Sequence, residues 1–198
     1  MRLKRFGIIW TTFPDLKMMN NDVKNLNIVG NMACLRVFQK SDISDTYVSW
    51  LNDAEVVKYS NQRFLNHTIE SCHDYLESFV GTNNIYMAIE DKVSKELYGS
   101  ITAYIQANHG SADIGLMIGS KKSWGSGIGF EVWALMMSFL FKQCGMRKVT
   151  GGTLEVNAGM IRIMEKSMMT HEATKKNQEL FDNKPVDILY FCKFFNEK

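Results

Sequence analysis

The stretch WGSGIG, residues 124–129, places three glycines at alternate positions between two apolar segments. The run before it, ADIGLMIG, alternates in the period-two pattern of a half-buried strand, and the segment after it is rich in Met, Leu and Phe, as in a buried helix. Each glycine costs conformational entropy on folding, so glycines are expected where the backbone turns tightly or approaches another group closely. The sequence therefore predicts a strand, a glycine-rich turn and a helix in direct succession.

Such a turn is suited to binding a phosphate or pyrophosphate. Free backbone N–H groups and the positive end of the helix dipole meet there. A Walker loop is excluded because it requires GxxxxGK[ST], whereas Phe130 follows Gly129. A dinucleotide fingerprint is excluded because it requires GxGxxG after the first strand of a Rossmann unit. The alternative, that the glycines only permit a tight turn or close packing, remains open.

The order of predicted elements describes a mixed sheet. We expect strands at 34–38, 85–91, 98–107, 112–119, 148–156 and 186–195. We expect helices near 42–52 (capped by Ser41 or Asp42), over 53–60, from the N-cap Thr68 onward, from the glycine turn to about Cys144, and over about 158–169. The fold class predicted is α/β (α+β): a mixed, mostly antiparallel, twisted sheet flanked by helices in a single domain, 32–198. Residues 1–31 are expected to form an N-terminal extension, with an extra strand as one interpretation.

Composition argues against several classes of protein. The net charge of +2 over 198 residues, without a Lys/Arg run, does not suggest a nucleic-acid partner. There is neither an 18-residue apolar run that would predict a membrane span nor a secretory leader pattern, so we expect a cytoplasmic protein with no membrane partner. The four cysteines lack CxxC spacing and lie in apolar patterns, which predicts buried thiols rather than disulfides or metal ligands.

Two segments together resemble the GNAT superfamily of N-acetyltransferases. The run SADIGLMIGSKKSWGSGIGFEVW resembles its acetyl-CoA site, in which a Q/R-x-x-G-x-G/A loop wraps the cofactor pyrophosphate. The stretch LEVNAGMIRIMEKSMM is similar to the family's NxxS…YEKxGF stretch, with Asn157, Glu165 and Lys166 in matching places. The likeness covers roughly residues 33–194. Trp124 at the Q/R position resembles the branch of ribosomal-protein alanine N-acetyltransferases. The segment YVSWLNDAEVVKYS looks like that branch and also like amino-sugar acetyltransferases.

The resemblance implies a GNAT-type fold that holds acetyl-CoA, the acetyl donor. The loop residues are Trp124 at the Q/R position, then Gly125, Ser126, Gly127, Ile128 and Gly129. The preceding strand is expected to splay from its neighbour, so that backbone groups of Leu116, Met117 and Ile118 bind the pantetheine arm. Asn157 is expected to contact the cofactor, and a helix N-cap role for it is compatible with that contact. Lys121 and Lys122 either attract the cofactor phosphates or are a solvated pair.

The reaction implied is direct attack of a substrate amine on the thioester. Asp113 is the first candidate for the general base, because similar branch members carry an acidic residue in the spelling AEIG. Glu155, beside Asn157, is the second, and His109 in the NHGS turn is a further candidate, with an exposed turn side chain as its alternative. The alternatives are that Asp113 is a polar residue beside the NHGS turn and that Glu155 faces solvent. Methionine at 164 replaces the family's frequent tyrosine, which leaves the general acid unassigned.

The acceptor implied is a primary amine, on an amino sugar or other small molecule or at a protein N-terminus. Trp50, Tyr59 and Arg63 are candidates to line its pocket, with core packing the preferred interpretation for Trp50. The alternative function is a catalytically degenerate acyl-CoA-binding sensor or interaction module. An exposed sheet edge at the final strand is expected to permit a homodimer.

Overall fold

Eight strands form one open sheet in the computed structural model, which describes residues 26–195. The strands are β1 (Asn27–Val29), β2 (Ala33–Val37), β3 (Ile85–Asp91), β4 (Leu97–Gln106), β5 (Ser111–Ile118), β6 (Lys148–Leu154), β7 (Thr170–Phe181) and β8 (Lys184–Phe194). The helices are α1 (Asp45–Leu51), α2 (Ile69–Glu77), α3 (Ile128–Lys142) and α4 (Ala158–Lys166). The spatial order of the strands is β1-β2-β3-β4-β5-β6-β8-β7.

Neighbouring strands are antiparallel except at the centre, where β5 and β6 run parallel. Helix α3 connects these two strands, which makes β5–α3–β6 a βαβ unit. The predicted fold class, a mixed and mostly antiparallel sheet flanked by helices, is confirmed.

Alternation along the strands divides the core between the two faces of the sheet. On one face, Met87 and Ile101 pack in the cluster that contains α3 and α4 residues such as Trp133. On the other, Tyr86 packs with Tyr47 of α1 and with α2. Both faces of the central strands are therefore covered by helices.

Two expectations from composition can be compared with the fold. All four cysteines, at 34, 72, 144 and 192, are buried and unpaired, as predicted. Among the helices of the described residues, none combines the length and hydropathy that crossing a bilayer requires.

The segment between α1 and α2 differs from its prediction. Residues 53–60 form turns rather than a helix. The carboxylate of Asp53 accepts the Glu55 N–H in a local turn and pairs with Lys121, and these bonds compete with helical ones. Helix α1 is capped by Ser44, because Asp42 is instead buried in a bidentate ion pair with Arg36.

Strand β7 was not predicted, and its presence corrects the expected sheet edge. Its sequence THEATKKNQELF has three apolar residues among twelve, and most of its side chains are exposed. Helix α4 accordingly ends at Lys166, before the predicted limit of 169. Because β8 lies between β6 and β7, the final strand is not a sheet edge, and that expectation was wrong. A homodimer stays a prediction.

The predicted N-terminal extension falls mostly outside the described residues. Within it, Asn27–Val29 pair with β2 as the short edge strand β1. Residues 1–25 are not described, and the domain boundary at 32 stays a prediction.

Candidate active site

The central parallel strands separate within the sheet. They pair only at Ser111↔Lys148, Ala112↔Val149 and Asp113↔Thr150, although β5 continues to Ile118 and β6 to Leu154. A gap therefore opens between β5 and β6 directly after Asp113. The splayed strand that the resemblance implied is present.

Backbone groups of β5 alternate between its two neighbours. The Met117 carbonyl faces β4, where a Cβ on Gly99 would overlap it, and the Gly119 N–H donates to the Tyr98 carbonyl on the same side. Alternation then turns the peptide groups of Leu116 and Ile118 toward the gap. Of the three predicted pantetheine contacts, these two offer backbone groups there, whereas Met117 directs its carbonyl to β4.

Trp124 bridges the end of β5 and the glycine loop. Its indole N–H donates to the Ile118 carbonyl at 2.8 Å, and the side chain is partly exposed. The residue at the Q/R position therefore occupies the Ile118 carbonyl at the end of β5.

The glycines of the loop serve two structural purposes. Gly125 and Gly127 have φ of +75° and +97°, in the left-handed region that favours glycine, and Gly127 is the N-cap of α3. At Gly129 a Cβ would lie 3.0 Å from Cδ1 of Ile163, so that glycine permits α3 and α4 to approach closely.

The loop also presents unbonded donors. Within residues 26–195, the N–H groups of Gly125, Gly127, Gly129 and Phe130 have no protein acceptor. They lie at the start of a 15-residue helix, where its dipole is positive. Tight turning and close packing explain the glycines in part, and the same geometry leaves a cradle suited to an anion.

Glu131, which sequence reasoning missed, fixes the surroundings of the loop. Its carboxylate accepts the N–H groups of Asn31, Met32 and Ala33, the last two at 3.0 and 3.2 Å. This ties the first turn of α3 to the β1–β2 turn, whose Met32 lies beside Gly127. The contact joins positions about a hundred residues apart, so no local pattern indicates it.

Both lysines before the loop are held by carboxylates. Lys121 pairs with Asp53, at 2.8 Å, and with Glu55. These hydrogen bonds raise the pKa of Lys121. Lys122 pairs with Glu96 at 2.5 Å. Neither lysine is an unpaired cation beside the cradle.

Asn157 is the N-cap of α4. Its side-chain oxygen accepts the Met160 N–H at 3.2 Å, and its amide donates to the Thr153 hydroxyl at 3.0 Å. The N-cap role that sequence analysis considered is therefore present.

A cavity of about 260 Å³ adjoins the gap. It is lined by Tyr59, Asn61, Asp113, Gly152, Thr153, Leu154, Glu179, Ile188 and Tyr190. The Asp113 carboxylate accepts the Thr150 hydroxyl at 2.6 Å. Asp113 is reachable by solvent through the cavity, yet the concave wall surrounds it with protein atoms. This desolvation raises its pKa, and the Thr150 hydrogen bond opposes the rise.

The other candidate bases lie elsewhere. The carboxylate of Glu155 accepts the Asp187 N–H at 2.9 Å, so it extends the β6–β8 pairing and is not part of the cavity wall. His109 is in the turn before β5, and its carbonyl accepts from Arg147. The geometry brings Asp113, rather than these two, to the gap.

The β7 strand holds one wall of the cavity against the segment after α1. Asn61 donates to Glu179 at 3.1 Å, and Arg63 lies 3.5 Å from the same carboxylate. The Tyr59 ring stacks on Phe181 with centroids 5.6 Å apart. Tyr59 thus lines this cavity, and Arg63 contacts Glu179 of its wall. That the cavity binds the acceptor stays a prediction.

Trp50 and Met164 have packing roles. Trp50 lies against Gly119, where a Cβ would overlap its ring, and packs near Tyr47, as the preferred interpretation held. Met164 is fully buried beside Gly151, so the position expected for a tyrosine acid carries a thioether within the core.

Comparison with known proteins is consistent with this geometry. The family model for the acetyltransferase (GNAT) domain matches residues 33–170. No curated protein sequence matches the chain significantly.

Solved structures share the fold. RimL, a ribosomal L7/L12 alpha-N-protein acetyltransferase in complex with coenzyme A, has a TM-score of 0.76 at 14% identity, covering 87% of this chain and 100% of its own. A spermidine N-acetyltransferase from Vibrio cholerae, in complex with CoA and spermine, has a TM-score of 0.74 at 15% identity, and the match covers 83% of this chain and 96% of that one. A GNAT-family acetyltransferase from Bacillus anthracis has a TM-score of 0.73 at 20% identity, and the match covers 85% of this chain and 98% of that one. With the family model matching more than half of its length, the chain belongs to the GNAT acetyltransferases.

Proposed function

We propose that this protein is an N-acetyltransferase that moves the acetyl group of acetyl-CoA to a primary amine by direct attack. The observation that carries the proposal is the separation of β5 from β6 directly after Asp113↔Thr150. A donor cradle and a carboxylate-lined cavity both adjoin this separation.

The residues present fit the cofactor. The four unbonded N–H groups of the loop suit a pyrophosphate, which has no need of a lysine there because the helix dipole supplies positive potential. Leu116 offers backbone groups on the open side of β5, where the pantetheine amides would bind as an added strand does. Acetyl-CoA, when bound, supplies the activated thioester.

Asp113 is proposed to accept the proton that the amine loses. A carboxylate near its ordinary pKa of 3.8 is a weak base, and the rise in the pKa of Asp113 makes it a stronger one. The amine nitrogen bonds to the thioester carbonyl carbon, the C–S bond breaks, and CoA leaves as a thiolate. A thiol has a pKa of about 8.5, so the CoA thiolate leaves readily and takes its proton from water without an acid at Met164.

The acceptor is proposed to be a small molecule, such as an amino sugar, in preference to a protein N-terminus. A cavity of about 260 Å³ lies just below the roughly 300–1,000 Å³ that is typical of small-molecule sites, so its size favours a small acceptor. The neighbours named above act on a ribosomal protein and on spermidine, so amine acceptors of both sizes occur on this fold. We further propose that the protein works in the cytoplasm, where acetyl-CoA is available.

The test is to incubate the protein with acetyl-CoA and a panel of amines, and to quantify both free CoA thiol and acetylated amine. We expect both products for at least one small amine. Tight acetyl-CoA binding with no product from any amine would support the alternative, a binding module without turnover. Absence of acetyl-CoA binding would contradict both functions.

A further inference from the structure

Two of the cavity's walls are tyrosine rings, and each ring has a lysine beside it. Lys58 Nζ lies 5.5 Å from the centroid of Tyr59, and Lys175 Nζ lies 5.1 Å from the centroid of Tyr190. Tyr59 belongs to the segment after α1 and Tyr190 to β8, so the two cations approach the cavity from different elements.

These two lysines differ from the other cations around the cavity in having no counter-ion. Arg63 is paired with Glu179, and Lys176 is paired with Asp187 at 2.6 Å. Among residues 26–195, no carboxylate pairs with Lys58 or with Lys175, and both side chains are exposed.

The register of the β7–β8 pair directs Lys175 to the cavity side of the sheet. Lys175 is the direct partner of Ile188, and Ile188 lines the cavity. Directly opposed residues of an antiparallel pair project from the same face. The Lys175 ammonium is therefore on the face where the cavity opens.

Within the described part of the chain, the cavity wall has two carboxylates, and only one of them has a cationic partner. Asp113 lies where the strands separate and has no cationic partner among the described residues. The cavity's other carboxylate, Glu179, already binds Asn61 and Arg63. An ammonium group of the substrate can therefore pair with the Asp113 carboxylate. A second ammonium farther along the cavity would find Glu179 already paired with Arg63 and would be repelled by Lys58 and Lys175.

We infer that the acceptor carries an anionic group, a phosphate or a carboxylate, remote from its reacting amine, and that Lys58 and Lys175 bind this group. The inference rests on the proposed function and specifies its substrate class. The amine end is held at Asp113, and the anionic end lies at the outer parts of the tyrosine walls, where the lysines add positive potential. A polyamine fits this charge distribution poorly.

The experiment compares matched amines with the full chain at saturating acetyl-CoA. One pair is glucosamine and glucosamine 6-phosphate, and the other is butylamine and 4-aminobutanoate, so that the phosphate and carboxylate sources are separated. We expect kcat/KM for the anionic member of at least one pair to exceed that of its neutral partner by about tenfold, as two exposed charge pairs would give. This preference should diminish as salt is added.

In the double variant K58Q/K175Q, kcat/KM for the anionic member of a pair should fall close to that of its neutral partner. The value for the neutral member should stay unchanged within about twofold. The control K40Q removes an exposed lysine that pairs with Glu77 and should keep the full preference. A preference that survives in K58Q/K175Q, or equal kcat/KM within both pairs, overturns the inference and leaves the proposed function intact. Higher turnover of an alanine-initiated peptide than of any anionic small amine also overturns it.

If no member of either pair is acetylated, calorimetric titration of the CoA-saturated protein with the same four amines decides the question. Tighter binding of an anionic member, lost in K58Q/K175Q, supports the inference, and equal binding within both pairs overturns it. Failure to bind acetyl-CoA itself would be a failure of the proposed function, which the same titration detects separately.

Discussion

The Thr150 hydroxyl donates a 2.6 Å hydrogen bond to the Asp113 carboxylate at the last residue pair that joins β5 to β6. The candidate base is thus fixed at the point where the sheet opens. Beyond this point β5 continues to the glycine loop, and Gly152, Thr153 and Leu154 of β6 line the cavity.

Replacing Asp113 by Asn should lower kcat by about 10²-fold or more, because the amide has nearly the same shape and cannot accept a proton. The affinity for acetyl-CoA, measured by calorimetry, should stay within about twofold. Undiminished turnover of D113N would exclude Asp113 as the base. The matched variant E155Q changes a carboxylate outside the cavity wall and should keep most of the activity.

D113N should also change the free energy of unfolding, in a direction set by the shifted pKa of Asp113. Desolvation by the cavity wall raises the folded-state pKa of Asp113 above its ordinary 3.8, so the folded state favours the protonated form. The contribution of protonated Asp113 to the free energy of unfolding is present at low pH and is lost as the pH rises through its folded-state pKa. At pH 7, D113N should therefore be no less stable to urea than the native chain. A clear loss of stability at pH 7 would contradict this.

Thr150→Val should move the acidic limb of the kcat/KM pH profile to higher pH. The Thr150 hydrogen bond lowers the pKa of Asp113, so its removal lets the pKa rise further. Thr150→Ser keeps the hydroxyl and should restore the native profile. An unshifted limb in T150V, with T150V and T150S indistinguishable, would contradict the assignment.

Gly127→Asp should weaken acetyl-CoA binding by at least about tenfold, because it places a carboxylate within the donor cradle, against the proposed pyrophosphate. Gly81→Asp is the matched control: Gly81 also has positive φ, at +74°, and has open space around its Cβ position. Both variants carry similar backbone strain, so equal affinity in the two would show that the loop is not the pyrophosphate site.

Glu131→Gln should lower the free energy of unfolding by about 1–3 kcal/mol, because a carboxylate that accepts three N–H groups is replaced by an amide with one acceptor oxygen. Glu70→Gln changes the acidic residue of the first turn of α2, which is exposed, and should cost only a few tenths of a kcal/mol (about 0.3). Urea denaturation measures both. Equal losses would indicate only a helix-dipole effect.

Much of the fold was predictable because periodicity is a local property. The meander 85–118 and the strand–glycine–helix succession each carry their pattern within one segment, and the structure confirms them. Strand β7 carries none: its polar residues form a strand because β8 pairs with them along one edge. No local signal distinguishes such a segment from a loop.

The candidate site was likewise predictable only where its residues belong to a local sequence pattern. The loop was found from its glycines and Asp113 from a resemblance of spelling. Glu179 and Tyr190 were missed, since they reach the cavity only through β7 and β8, and the Asn61–Glu179 contact spans 118 positions. Cavity walls of this kind arise from tertiary packing and leave no motif.

The most direct test of direct acetyl transfer is a rapid-quench experiment with acetyl-CoA labelled in the acetyl group and an amine that the protein acetylates. The account predicts that the label passes from CoA to the amine nitrogen, with one CoA thiol released per acetylated amine and no label on the protein at any time. Label that appears on the protein before it reaches the amine, or CoA release without acetylated amine, would contradict it.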